Sequence, residues 1–425
     1  MTRVPPEPLN TRAPEKTSTS LRRRALFAAL YLSEGAPVGY LWWALPTQLR
    51  VAGAPVESIT ALTATLALPW AFKFLWAPLV DGARGPRWGF SAWILTAQTV
   101  MVATLAPLLF LDLAHVSWSL LSALLISHAF AAATQDVAID ALAITTTPPR
   151  ERGQLNGWMR LGYLLGRGVF GGGILWLEKQ VGFQVAFSLL LVCIAAPGWI
   201  LHRMAPDSRA GSEGTMREHW RRIGRGLAKM VRRSRFWAGL AFAATAGLGF
   251  EAVGAVAGPY LIDRGFEQES VGWIMALPVV ISMVVGALLG GWLSDRLGRR
   301  TSVLIALLAL SLAIFVLAGL DHSANGASFG AAARLVAVYL GIGLFTATSY
   351  ALFMDLTSPE LAATEFAAFM GMTNLCESRA ALYGGQLIAD VGYGDAFAIM
   401  AGISLASLLA LAFCRVGSQG ERDAA

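Results

Sequence analysis

The residues of this chain best placed to do chemistry are ionisable side chains inside long apolar runs. Glu34, His128, Arg167, Glu251, Glu377 and Arg379 all sit well within such runs. A charge at the centre of a membrane span costs about 3 kcal/mol or more, so it marks a binding or relay position. A carboxylate there can take up and release a proton. An arginine can hold an anionic group through its paired N–H donors, and a histidine can serve as a proton carrier or as a bundle residue with its ring nitrogens satisfied. Glu34 lies 10 residues beyond Arg24, which puts it about 15 Å into a helix rising about 1.5 Å per residue. Arg167 lies 13 residues beyond Gln154, at a similar depth.

A second layer of charge lies nearer the basic side of the spans: Lys73, Asp136, Asp140 and Arg160. Asp136 and Asp140 are four apart and share a helix face. The layer reads either as an ion-pair latch that neutralises buried charge or as part of a relay. Tyr40, Trp42, Trp43, Trp70, Trp76 and Trp158 could stack on sugar or aryl rings, or serve as packing and interface anchors. A third set is a loop string at the end of the eighth apolar run, Gly291-Trp-Leu-Ser-Asp-Arg-Leu-Gly-Arg-Arg300. Asp295 with Arg296, Gly298, Arg299 and Arg300, and Asp81 at the equivalent place after the second run, read as gate or helix-end contacts.

The elements that must hold these groups follow from composition. Of the residues 56% are apolar and 14% charged, too few charges to cover a water-soluble fold of this length. Twelve apolar runs centre near residues 36, 68, 101, 127, 166, 193, 248, 281, 311, 341, 377 and 405. Each has room for about 20 residues, enough for a helix to cross about 30 Å of hydrocarbon. No run alternates polar and apolar residues as a membrane barrel would, so the expectation is an all-α membrane protein with twelve transmembrane helices.

Basic residues set the expected orientation. One side carries Arg3, Arg12, Lys16, Arg22, Arg23, Arg24, Arg84, Arg87, Arg150, Arg152, the dense run from Arg203 to Arg235, then Arg296, Arg299, Arg300, Arg415 and Arg422. The other side carries Arg50, Lys179 and Arg264. This bias puts both termini in the cytoplasm, and it accounts for a pI near 9.5 without a nucleic-acid partner. No cleavable leader is evident; the first 24 residues read as a disordered tail. Cys193, Cys376 and Cys414 lie in apolar runs without CxxC spacing, which suggests neither metal nor disulfides. No phosphate loop, GxSxG or HExxH string is present, so no cofactor, ATP site or enzymatic centre is expected.

The chain also repeats itself weakly. Pro46 lies 213 positions before Pro259, Glu57 lies 212 before Glu269, and Asp81 lies 214 before Asp295. Val181-Gly-Phe lies 210 before Val391-Gly-Tyr. The expected organisation is a tail over 1–24, a six-helix half over 25–203, a basic linker over 204–235, a second half over 236–414 and a tail over 415–425. A basic amphipathic helix around Trp220 to Val231, or a plain charged tether, fits the linker.

Two resemblances sharpen this. The 291–300 string resembles the loop motif between adjacent helices of major facilitator superfamily transporters. In the first half, Phe72-Lys-Phe-Leu-Trp-Ala-Pro-Leu-Val-Asp81, Thr134-Gln-Asp-Val-Ala-Ile-Asp-Ala141, Glu151-Arg-Gly153, Leu161-Gly-Tyr-Leu-Leu-Gly166 and Gly171-Gly-Gly173 follow in an order similar to AmpG-type muropeptide permeases. Acetyl-CoA transporters and single-chain siderophore permeases are relatives of that group, and Tyr31-Leu-Ser-Glu-Gly-Ala-Pro-Val-Gly-Tyr40 looks at least as much like the siderophore branch. The resemblance implies two parallel six-helix repeats with a solute site between them near mid-membrane. It implies alternating access, with a small-molecule solute and protons as partners, in a monomer of the bacterial inner membrane. It also makes helices 1 and 5 neighbours, hence an expected Glu34–Arg167 pair, and by symmetry a Glu251–Arg379 pair on helices 7 and 11. Anhydro-muropeptide, ferric siderophore and acyl-CoA remain alternative solutes, and a membrane-embedded transferase is the competing class.

Overall fold

The computed structural model describes residues 21–82, 88–147, 152–204, 230–321, 329–357 and 362–414. These form twelve membrane-length helices. We label them α1 (21–51), α2 (Val56–Leu75), α3 (Phe90–Leu109), α4 (Trp118–Thr146), α5 (152–181), α6 (Phe183–Met204), α7 (Ser234–Asp263), α8 (Gln268–Leu297), α9 (Arg299–Asp321), α10 (Phe329–Leu356), α11 (362–391) and α12 (393–413). Among the described residues, nine stretches are long and apolar enough to cross a membrane by composition alone. The last of them belongs to a continuous helical segment of 52 residues, Ala362–Phe413. At about 1.5 Å per residue this is more than twice the thickness of a bilayer core. Gly392, at φ 83°, divides it into α11 and α12. The other two spans, α1 and α5, fall outside the nine because they carry the charges that matter most below.

The internal repeat is visible in the backbone. Gly53 (φ 90°) ends α1 and Gly265 (φ 84°) ends α7, 212 positions on. Gly182 (φ 85°) separates α5 from α6, and Gly392 separates α11 from α12, 210 positions on. Side-chain-bearing residues rarely adopt this conformation, so the two halves turn at matching places by the same device.

Within each half, glycines let backbones meet. A methyl built on Gly35 would stand 2.1 Å from the Tyr163 carbonyl oxygen, one on Gly39 2.4 Å from that of Arg167, and one on Gly162 2.0 Å from that of Ala28. Thus α1 and α5 touch along their backbones, as small residues permit in a membrane bundle. Gly286 and Gly290 on α8 meet α10 in the same way.

Between the halves, α2 lies along α11, where the Ser378 hydroxyl donates to the Ala64 carbonyl at 2.7 Å. Three widened π turns gather near the same level: Tyr40–Ala44 on α1, Val169–Gly173 on α5 and Met275–Val279 on α8. Gly171 faces Trp43 and Gly39, while Gly172 faces Ala276 and Gly272 across the divide.

Two sequence expectations need amendment. Arg334, near the start of α10, lies towards the end opposite the termini, and adds to Arg50, Lys179 and Arg264 there. Helix α1 begins at Leu21, four residues inside the expected tail over 1–24; residues 1–20 and 415–425, most of the 204–235 linker and the side chain of Asp81 lie outside the described residues and side chains.

Candidate functional site

A cavity of about 440 Å³ lies between the halves. Its walls are Trp42 and Trp43 of α1, Thr63 of α2, α5 from Arg160 to Arg167, α7 from Phe242 to Ala255, and the facing parts of α8, α10 and α11. On α5, α8 and α10 the lining lies from mid-span towards the end of the bundle at which α1 begins.

The opposite end is held shut by contacts across the halves. Arg50 at the end of α1 donates twice to Asp263 at the end of α7, Nε to Oδ1 at 2.6 Å and NH2 to Oδ2 at 2.9 Å. The Tyr393 hydroxyl donates to the same Oδ2 at 2.8 Å. Gln48 and Gln268, one from each half, both donate to Glu178 Oε2 at 2.9 Å, and Lys179 pairs with Glu269. Towards the α1-start end, the named ion pairs stay within one half: Lys73 with Asp136, Arg233 with Glu365, and Arg299 with Asp355.

Charge in the cavity is divided by half. Arg160 and Arg167 come from α5, Glu251 from α7 and Glu377 from α11. The Arg167 guanidinium lies over the Trp43 ring at 4.6 Å, and its Nε has no hydrogen-bond partner. Glu251 and Glu377 are within electrostatic reach of Arg167 and of each other. Trp42 Nε1 donates to Glu377 Oε1 at 2.5 Å, from one half to the other. Tyr163, Tyr339 and Tyr350 add aromatic surface.

A second cluster lies behind the cavity, among α1, α2, α4 and α5. Lys73 is paired with Asp136, and the Tyr31 hydroxyl donates to Asp140. Glu34 is 6% exposed, its Oε2 lacks a hydrogen-bond partner, and it interacts electrostatically with Asp136, Asp140, Lys73 and Arg160. Arg160 belongs to both places: it lines the cavity, and it acts on Glu34 and Asp140.

The structure therefore pairs the charges differently from the sequence. Arg167 packs at the level of Gly39, five residues past Glu34, or about 7.5 Å further along α1. Glu34 consequently joins the Lys73–Asp136–Asp140 group, and Arg167 joins Glu251 and Glu377. Arg379 stands two positions after Glu377, a rotation of about 200° on a helix, and is exposed away from the cavity lining. His128 is fully buried against α3, outside the cavity lining, with its Nδ1 donating to the Met101 carbonyl at 3.2 Å and its Nε2 without a hydrogen-bond partner.

In the loop string, Arg299 is the hub. Its NH1 donates to Ser294 Oγ at 2.8 Å and Asp295 Oδ1 at 3.1 Å, and its Nε to Asp355 Oδ2 at 3.1 Å. Arg300 donates to the Ala412 carbonyl at 2.9 Å, tying the loop to α12. Arg296 lies over the Trp292 ring at 4.6 Å. Gly298, at φ 79°, makes the turn, and Gly291 faces open space. Asp355, Tyr31, Asp263 and the cavity tyrosines escaped the sequence reading. Each stood as a polar group at the end of or within an apolar run, a signal shared with many packing residues.

Comparison with known proteins agrees with this fold. The family model described as Major Facilitator Superfamily matches residues 26–375 and 244–424. The chain belongs to the major facilitator superfamily. As a superfamily member it is a secondary transporter of the membrane and not an enzyme. It is similar to the anhydromuropeptide permease of Escherichia coli K12, 27% identical over 403 residues, covering 92% of this chain and 80% of the relative. It is also similar to the putative transporter AmpG 4 of Rickettsia felis, 24% identical over 400 residues, covering 90% and 94%. Among solved structures, the D-xylose–proton symporter superimposes with a TM-score of 0.71 at 12% identity, over 92% of this chain and 97% of that one. A bacterial homologue of the lysosomal transporter Spinster, inward-facing and unoccupied, gives 0.57 at 16% identity, over 92% and 93%. These two likenesses are of fold.

Proposed function

We propose that this protein imports a glycopeptide of the anhydromuropeptide type across the bacterial inner membrane, driven by protons, as a monomer with both termini cytoplasmic. The halves are 25–203 and 236–414, joined by a cytoplasmic linker over 204–235. The names of the similar permeases support the solute class, and the aromatic and charged cavity walls suit sugar rings bearing a peptide. The basic bias supports the orientation, which makes the end held by Arg50 and Asp263 the outer one and the end at which α1 begins cytoplasmic.

The observation that carries proton coupling is the unbalanced cluster behind the cavity. Glu34, Asp136 and Asp140 are three carboxylates set against two cations, Lys73 and Arg160. In a low-dielectric interior one bound proton makes this group neutral. Arg160 links the cluster to the cavity. A solute carboxylate that draws Arg160 away leaves the acids short of a second cation and strengthens their hold on a proton. Proton and solute then assist each other's binding, and such coupling is reciprocal.

The test is flux into proteoliposomes of purified protein with an imposed pH step. Anhydromuropeptide should accumulate with the step and collapse with a protonophore. Accumulation of a ferric siderophore or an acyl-CoA in its place would replace the solute, and chemical conversion without flux would replace the class. Labelling of His115→Cys by an impermeant reagent in intact cells, with Leu297→Cys protected, checks the orientation.

A further inference from the structure

We infer that the solute is a zwitterion whose two charges are read by opposite halves: an anionic group by Arg167 and Arg160 of the first half, and an ammonium group by Glu251 and Glu377 of the second. This deepens the transport reading above and rests on it.

The inference stands on how the cavity's charges are divided. Both guanidinium groups come from one helix, α5, and both carboxylates come from the facing half, on α7 and α11. Two arginines face two acids across the cavity, and Arg160 is shared with the acids behind it. A solute with no net charge but separated charges leaves the total charge of this shared array unchanged, whereas a plain anion or a plain cation alters it by one unit near mid-membrane. Each wall also has unused capacity. Arg167 is held by the face of Trp43 and not by a carboxylate within ion-pair distance, and its Nε is unpartnered. A guanidinium seated on a ring still presents its edge donors to a carboxylate. Glu377 takes one hydrogen bond, from Trp42 Nε1, which orients the carboxylate. An ammonium group, with three donors, suits the acceptors that Glu377 and Glu251 retain.

The division has a mechanical consequence. A zwitterion with each end on a different half joins α5 to α7 and α11, and so favours the state in which the halves approach around it. A solute with one charge engages one wall only and gains nothing from closure. Net charge and span would then decide what is carried, alongside ring shape.

The probe is N-acetylmuramyl-alanyl-isoglutaminyl-lysine, which has a free side-chain amine and a free carboxylate, with two analogues: the Nε-acetyl form, an anion, and the C-terminal amide, a cation. Binding is measured by calorimetry on the purified full chain and flux in proteoliposomes. The expected result is that the zwitterion binds at least about tenfold tighter than either analogue, a difference of about 1.4 kcal/mol. Glu251→Gln with Glu377→Gln should erase the preference over the Nε-acetyl form and keep that over the amide. Arg167→Gln should do the reverse. The wild-type comparison of the three ligands decides the matter even if a variant fails to fold.

Equal binding of the Nε-acetyl form, or no binding of the zwitterion, overturns the inference. So does a preference for the zwitterion that the glutamate variants leave intact, since those carboxylates would then serve another role such as proton carriage. Selective binding without flux of any form would sink the transport reading and leave the zwitterion site standing. Flux of all three forms at equal rates would do the opposite.

Discussion

The contact between Arg50 and Asp263 offers a direct handle on which way the transporter faces. It joins the outer ends of α1 and α7 by two parallel hydrogen bonds, and its side chains are 28% and 23% exposed. The Tyr393 bond to Asp263 lies within the second half and survives any movement between halves. The state-dependent part is therefore the Arg50 pair alone. Asp263→Asn keeps the shape and one acceptor oxygen but removes the charge. At this exposure the loss is about 1–2 kcal/mol, above an isolated surface pair and below a buried one. Because the pair forms only when this end is shut, the loss shifts the two-state equilibrium by about 5- to 30-fold towards opening. Spin labels at Ala52→Cys and Ser270→Cys, exposed positions of opposite halves, report the opening as a distance distribution in a background lacking the three native cysteines. The longer-distance population should grow in Asp263→Asn and shrink again in the charge swap Arg50→Asp with Asp263→Arg. An unchanged distribution in the single variant would refute the reasoning and assign closure to the other contacts between the halves, those of Glu178, Lys179 and the π turns.

Other outcomes follow from the same geometry. Glu34→Gln removes the unbalanced carboxylate, so solute-linked proton uptake should vanish while solute counterflow persists. A proton worth about 1.36 kcal/mol per pH unit drives about 100-fold accumulation at a step of about two units, and the variant should show about none; full accumulation would take Glu34 out of the mechanism. Gly35→Ala places a methyl against the Tyr163 carbonyl inside one half and should cost about 1–3 kcal/mol of stability in any state. Gly172→Ala places one 2.3 Å from the Ala276 nitrogen across the divide and should instead open the outer end, which the same spin-label pair reads; similar loss of melting temperature in both would contradict the distinction. Arg299→Ala should destabilise by about 1–3 kcal/mol through the loss of bonds to Ser294, Asp295 and Asp355. Asp295→Asn, on a side chain 76% exposed, should stay within about 0.5 kcal/mol while slowing turnover, with solute affinity changed no more than a few-fold; the reverse order of melting temperatures would move the hub to Asp295.

The spans and the repeat were legible because each is a property of consecutive residues. Hydrophobic length marks a helix, and the offset that relates Val181-Gly to Val391-Gly is the one that relates the left-handed glycines 182 and 392. Facing was not legible. Residue counting from the basic end places Glu34 and Arg167 at similar heights, but the glycine contacts that set α1 against α5 fix a register that puts Arg167 level with Gly39. The two-residue step from Glu377 to Arg379 shows the same limit: depth is nearly equal and direction nearly opposite. Contacts such as Trp42 with Glu377 join positions 335 apart, and no local pattern announces them.

The two spans that fall outside the apolar nine, α1 and α5, are also the two whose backbones touch through Gly35, Gly39, Gly162 and Gly166. That has a consequence for how the protein is made. During synthesis α1 emerges first, with Glu34 unneutralised and a glycine face uncovered, and its partner is completed more than a hundred residues later. Neither helix is a strong candidate for independent partition from the insertion machinery into lipid. Stable residence in the bilayer therefore waits on their meeting, after Lys73 and Asp136 have already been delivered by α2 and α4. The α1–α5 pair, which carries Glu34 and Arg167, is in this sense later to become a membrane structure than α2, α3 and α4, and a cell lacking insertase capacity should lose this protein at the nascent-chain stage before its more apolar helices are affected.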